Sequence, residues 1–301
     1  MSNRKGSSTC AGAHYNERKI VYPGIYLNVL LLIMTVFTGC STQQAEKADW
    51  TVLFNGKDLT GWDTWLAAPR GNSENQKPYG LNNDPEQIFT IVEEDGQPAI
   101  RIAGDIGGGI STVNEFENYH LSLEFKWGEA MPWADRKKRD SGLLYHATGP
   151  HGADGGYWMR SQEFQVQEGD CGDYWGVAGG LFDIPARLNA DSVWVYDKNS
   201  ELLTFKEGTE TGRHCIKDPD AEKPTGEWNT LELYCLGGTS VHIVNGVVTM
   251  VLYNSRQADD SGPETPLTKG KIQLQSEGAE LFYRDLKLRT IETFPAGIIG
   301  G

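Results

Sequence analysis

From Tyr119 to Trp127 the chain reads Tyr-His-Leu-Ser-Leu-Glu-Phe-Lys-Trp, apolar at every odd position and polar at every even one. A period of two puts the apolar set on one face of an extended strand and the polar set on the other, a pattern no helix can turn toward a core. Residues 228–234 alternate in the same way, interrupted at Asn229, Thr230 and Glu232. Between residues 241–244 and 247–253 stands Asn245-Gly246, the pair that accepts the two positive φ angles of a type I′ hairpin turn. Residues 88–92, 99–102, 142–146, 269–275 and 280–289 add further strands. No stretch of twelve or more residues has a helical period. Long loops are expected at about 63–86, 128–141, 147–157, 169–192 and 206–226, and Asp105-Ile106-Gly107-Gly108-Gly109 reads as a turn. Many short strands in a chain with 36 Gly, 9 Trp and 12 Tyr predict an all-β sandwich or jelly roll in a single domain.

The N-terminus reads as an address. Residues 25–37 are mostly apolar, follow Arg4, Lys5, Arg18 and Lys19, and lead into Phe37-Thr38-Gly39-Cys40, which resembles a bacterial lipobox. The apolar run is short for a bilayer span and suits a signal-peptide core. The expected organisation is a lipoprotein-type signal peptide over 1–39, lipidation at Cys40, a polar tether over 40–49, the folded domain over 50–291 and a tail over 292–301. Ser41 after the cysteine points to the outer membrane, so the chain is expected in the cell envelope, touching the membrane through its lipid alone.

Lys and Arg number 27 against 41 Asp and Glu, a formal charge of −14. That field excludes nucleic acid as a partner and leaves neutral ligands such as sugars open. Beyond Cys40 the mature chain keeps Cys171, Cys215 and Cys235. An odd number cannot all pair, and Cys215 with Cys235 is the bond an oxidising compartment would allow.

Chemistry concentrates between residues 140 and 175. Phe164 and Val166 alternate with Glu163, Gln165 and Gln167, so a carboxylate and two amides share the face opposite the core. Such a row offers the acceptors and donors that sugar hydroxyls need. Glu168, Asp170, Asp173 and Tyr174 follow, and Trp158 adds an aromatic platform, which together predict a sugar-binding surface. His146 ends the strand over 142–146 and is a candidate for proton abstraction. With His151 and Asp154 it could also hold a divalent metal, although the spacing matches no standard signature.

Trp50-Thr51-Val52-Leu53-Phe54-Asn55-Gly56-Lys57-Asp58-Leu59-Thr60-Gly61-Trp62 resembles the opening of the 3-keto-disaccharide hydrolase domain family. Asp140-Ser141-Gly142, Glu163-Phe164-Gln165-Val166, Gly226-Glu227-Trp228-Asn229, Val244-Asn245-Gly246 and the run from Gly270 to Gln275 extend the match to about residue 290. The resemblance implies a concanavalin-like jelly-roll sandwich that cleaves glycosides oxidised to a ketone at sugar C3. Proton loss from C2 and elimination at C1 break the glycosidic bond, and hydration makes the result a net hydrolysis. In that reading His146 and Glu163 transfer protons, Gln165 and Arg284 hold the ketone or a hydroxyl, and Glu277 points into the same cleft. Two alternatives stand beside it. Glu163-x-Gln165-x-x-Glu168 resembles the catalytic strand of laminarinase-type retaining glucanases, and a lectin-like module would use the aromatics without any proton transfer.

Cys40 yields the first test. Cells fed a palmitate analogue are expected to label the wild-type protein and not Cys40→Ser, and equal labelling of both would remove the lipoprotein reading.

Overall fold

The computed structural model describes residues 18–20, 49–70, 76–259 and 262–299. Most of the expected signal peptide, Cys40 and most of the tether lie outside them. The described residues from 49 onward belong to one compact unit. No described residue is helical; the strands pair antiparallel into a sheet of twelve and a sheet of nine. This is the all-β sandwich expected.

Tyr119–Trp127 lies at the centre of the larger sheet, between Asn229–Leu236 and Leu281–Thr290. Its odd positions are all buried against the other sheet. The polar face is less wet than the alternation implies. Lys126 is buried beneath Trp228 and held by Glu94 and Asp95. His120 stacks on Tyr234 with ring centroids 3.8 Å apart and meets Glu232 at 2.9 Å. The Asn245-Gly246 turn forms as expected, with φ of 50° and 80°.

Across the smaller sheet run, in spatial order, His214–Cys215, Tyr174–Val177, Arg160–Gln167, Asp140–Thr148, Lys269–Ser276, Gly108–Thr112, Trp62–Leu66 and Gly80–Leu81. The sheets meet where Phe164 stacks on His242, ring centroids 4.1 Å apart and planes 10° apart. Burial lowers the pKa of His242 to about 3, so the ring is neutral. Its Nδ1–H donates to the Gly172 carbonyl, which can only accept, so Nε2 accepts from the Tyr145 hydroxyl at 3.1 Å. A second bridge has Ser141 Oγ donating to the Gln275 carbonyl while the Tyr283 hydroxyl donates to Ser141.

Several strands sit where loops were expected. Most of Trp62–Leu66 and all of Gly80–Leu81 fall within 63–86, Tyr174–Val177 and Gly180–Leu188 within 169–192, and Gly108–Thr112 overlaps the expected turn. Gly108–Thr112 is buried at every residue and so has no alternation to read. A Cβ on Gly109 would meet the Leu274 carbonyl oxygen at 2.8 Å, so its glycine serves close strand packing. Cys171, Cys215 and Cys235 are all free and buried; the Cys215–Cys235 disulfide is not formed.

Phe164 sets the register of the strand that carries Glu163. Phe164→Ala is expected to cost about 3–5 kcal/mol of stability, read from the denaturant midpoint at unchanged slope.

Candidate functional site

The alternation in Arg160–Gln167 decides what faces the open side of the smaller sheet. Phe164 and Val166 are fully buried in the core, and Glu163, Gln165 and Gln167 line a cavity of about 180 Å³ on the opposite face. Glu163 and Gln165 are themselves only 6% and 7% exposed, because loops roof the sheet. On one side Trp175 pairs with Glu163. On the other, Gly142 stands opposite Gln165 and Asp140 opposite Gln167. The next strand supplies Gln275, with Glu277 just beyond its end. Loops complete the wall with Arg136, Asp154, Trp158 and Arg213.

Arg136 bridges two acids, donating from Nη1 to Asp140 Oδ2 at 2.8 Å and from Nη2 to Glu277 Oε1. Asp140 Oδ1 has no hydrogen-bond partner among the described residues. Arg213 donates weakly to Asp154 and to the Gly176 carbonyl and lies over the Trp175 ring, 5.5 Å from its centroid. Trp175 in turn stacks on His214 at 4.2 Å. Trp158 Nε1 donates to the Gly108 carbonyl, which fixes the edge of its ring.

Burial raises the pKa of all three central carboxyls. Glu163 lies well above the usual range through desolvation first and the charges of Glu277 and Asp140 next; the Arg213 field opposes this without cancelling it. Glu277 is raised by desolvation and by Asp140, and Asp140 by desolvation, each against the pull of Arg136. A cavity of this kind holds carboxyl groups in both protonation states near neutral pH, which is the condition for proton transfer in both directions.

The structure gathers Glu163, Gln165, Gln167, Trp158 and Glu277 of the residues singled out above. It separates the others. His146 is fully buried in the core, edge-on to Tyr119 and Tyr145, and burial lowers its pKa to about 3. A base sealed from the cavity cannot reach substrate. Tyr174 is also in the core, its hydroxyl donating to Gln162. Its neighbour Trp175 faces the cavity, as the strand period demands. Asp173 is buried and braces His214 and the Lys217 backbone. Glu168 is held by Arg139 and Thr225, and Asp170 pairs with Lys138; neither lines the cavity. Arg284 belongs to the other sheet, paired with Glu124 at 2.6 Å and stacked 3.6 Å from the Trp228 ring centroid. His146, His151 and Asp154 do not assemble: His151 stacks on Trp65, and among the described residues no group of three His, Cys, Asp or Glu is placed for a metal ion.

Arg136, Asp140, Trp175, Arg213 and Gln275 complete the cavity without having been singled out as site residues, and Asp154, expected only as a metal ligand, lines it too. Gln275 was detectable. Lys271, Gln273, Gln275 and Glu277 alternate with Ile272, Leu274 and Ser276, the same polar row that marked Glu163. The loop residues carry no such period.

A two-sheet antiparallel sandwich with acids, amides and indole rings converging on one face has the layout of a carbohydrate-active protein. The chain belongs to the 3-keto-alpha-glucoside-1,2-lyase-like domain family, whose model matches residues 49–289. No curated protein matches the sequence. Among solved structures it is similar to a candidate glycosyl hydrolase from Parabacteroides distasonis, 20% identical over 81% of this chain and 94% of that one, TM-score 0.46. A protein of galectin-like fold from Bacillus subtilis is 13% identical over 80% of this chain and 94% of its own, TM-score 0.40. A carbohydrate-binding module from the same organism is 9% identical over 67% and 92%, TM-score 0.35.

The raised pKa of Glu163 has a thermodynamic signature. A carboxyl whose folded pKa lies above its unfolded value of ~4.3 stabilises the fold below that value, and this contribution is lost as pH rises through the folded pKa. Glu163→Gln stays neutral throughout. Its melting temperature relative to wild type is therefore expected to climb from pH 5 to pH 8, and parallel pH profiles would mean that Glu163 is charged in the fold.

Proposed function

We propose that the cavity cleaves the glycosidic bond of 3-keto-glycosides by elimination, with Glu163 as the base. The observation that carries this reading is the desolvated carboxyl at the centre of the cavity, flanked by a second raised carboxyl at Glu277. A ketone at C3 acidifies the C2 hydrogen, and a carboxylate whose pKa is raised by burial is a stronger base than one in water.

Glu163 takes the C2 proton, and the C–H electron pair becomes the C2=C3 bond of an enolate whose charge sits on the C3 oxygen. Collapse restores the ketone, forms C1=C2 and expels the C1 oxygen, which leaves with a proton from Glu277. Water adding across C1=C2 completes a net hydrolysis. Arg213, whose field already reaches Glu163, faces the enolate charge. Gln165 and Gln167 hold hydroxyls, and Trp158 and Trp175 supply ring faces for the sugar. The glucanase alternative loses its second carboxylate, since Glu168 is tied to Arg139 outside the cavity.

Glu163→Gln preserves shape and removes the base, so turnover of a 3-keto-glucoside is expected to fall roughly 10²–10⁴-fold. The parent glucoside, lacking the ketone, should not be cleaved. Exchange of the C2 hydrogen in heavy water isolates the proton step. Wild-type exchange and cleavage by Glu163→Gln would refute the assignment, cleavage of the parent glucoside would favour a glucanase, and binding without turnover would leave a lectin.

A further inference from the structure

Gln275 is fully buried, lines the cavity, and has no hydrogen-bond partner for either amide atom among the described residues. Its backbone is anchored, because its carbonyl accepts from Ser141 Oγ at 2.9 Å. Two residues earlier, Gln273 uses its own side-chain oxygen to accept from the Met159 backbone N–H. Gln275 has no such employment, and a sealed amide without a partner is costly.

The space it faces is defined by Gly142. A Cβ there would collide with Glu163 Oε1 and with the Oε1 and Cδ atoms of Gln275. The two head groups therefore share the volume over this glycine, and each presents an oxygen to it. Two acceptor oxygens attract only when a proton lies between them or when the amide turns to present its N–H.

We propose that Gln275 is the positioning residue of Glu163, turning its side-chain amide to follow the carboxyl proton. When Glu163 is charged, Nε2–H donates to the carboxylate; when it is protonated, its O–H donates to Gln275 Oε1. The groups acting on Glu163 from the surrounding elements pull in both directions. Glu277, Asp140 and Asp154 favour the proton, and Arg213 favours its loss. Arg136 is engaged by Asp140 and Glu277. A partner that serves one state alone would hold Glu163 there, whereas an amide serves both. The consequence for turnover rests on Glu163 being the base; the pairing itself does not.

The test reads Glu163 directly in the full-length protein without substrate. Infrared difference titration of wild type against Glu163→Gln isolates the Glu163 carboxyl band and its midpoint. Gln275→Met keeps the volume and removes the donor. The charged form then loses the stronger, charge-assisted bond, so the midpoint should rise by about one to two pH units and the acid C=O band should move to higher frequency. In wild type, the side-chain amide resonance of Gln275 should titrate with the same midpoint, a reading that needs no variant. An unchanged midpoint and band in folded Gln275→Met, or a Gln275 amide indifferent to pH, would overturn the proposal. If both respond while Glu163→Gln still exchanges C2 hydrogen at the wild-type rate, the pair stands and the base assignment falls.

Discussion

The stack of Phe164 on His242 is the contact on which the site depends. It joins the two sheets through a ring whose tautomer is settled by Tyr145 on one nitrogen and the Gly172 carbonyl on the other. Because side chains alternate with a period of two, a slip of one residue would send Phe164 into the cavity and Glu163 into the inter-sheet core. A phenylalanine in contact with a neutral, doubly hydrogen-bonded imidazole makes that slip expensive. The orientation of the central carboxyl is thus a consequence of packing on the far side of its own strand.

Desolvation then strengthens the carboxyl's hold on its proton. Asp140, Glu163 and Glu277 face one small cavity, and their mutual repulsion adds to the loss of water. Fully paired acids would be inert anions, and fully exposed ones weak bases. Here Arg136 is divided between Asp140 and Glu277, while Arg213 acts on Glu163 only through space and spends its own hydrogen bonds weakly on Asp154 and Gly176. The cations are enough to admit the acids to the interior and too few to hold all of them ionised. Stability at alkaline pH is what the fold gives up for this arrangement.

Periodicity made the half-buried parts of this protein legible. The strands Tyr119–Trp127 and Arg160–Gln167, the Asn245-Gly246 hairpin and the facing of Glu163, Gln165 and Gln167 all follow from alternation. Where both faces of a strand are buried, as at Gly108–Thr112, alternation vanishes and glycine reads as a turn. Tyr174 and Trp175 show the same limit at the level of one residue. Both are aromatic, but Tyr174 pairs with Phe164 and so faces the core, while Trp175 pairs with Glu163 and faces the cavity. That assignment needs the pairing register, which composition does not carry. His146, expected at a strand end, sits inside Asp140–Thr148 where the pairing register shifts, and at a positive φ of 53° it turns into the core.

Arg136 and Arg213 escaped detection because they reach the cavity from loops, and their placement depends on contacts remote in sequence. Trp133 shows how such a loop is seated. Its Nε1 donates to the Asp105 carbonyl at 2.9 Å, Arg70 lies over its ring 4.1 Å from the centroid, and Arg70 also holds Asp135 at 3.0 Å. A Cβ on Gly278, the residue after Glu277, would collide with the same ring. The indole therefore packs against the backbone beside one acid while the loop it anchors delivers the cation that bridges that acid to Asp140. The sheet supplies most of the acids and amides at a spacing set by strand geometry, and the loops supply the positive charge. The protonation state of the cavity is consequently set by how the loops seat on the sheet, and a change in Trp133 would reach Glu277 without touching any group that meets the sugar.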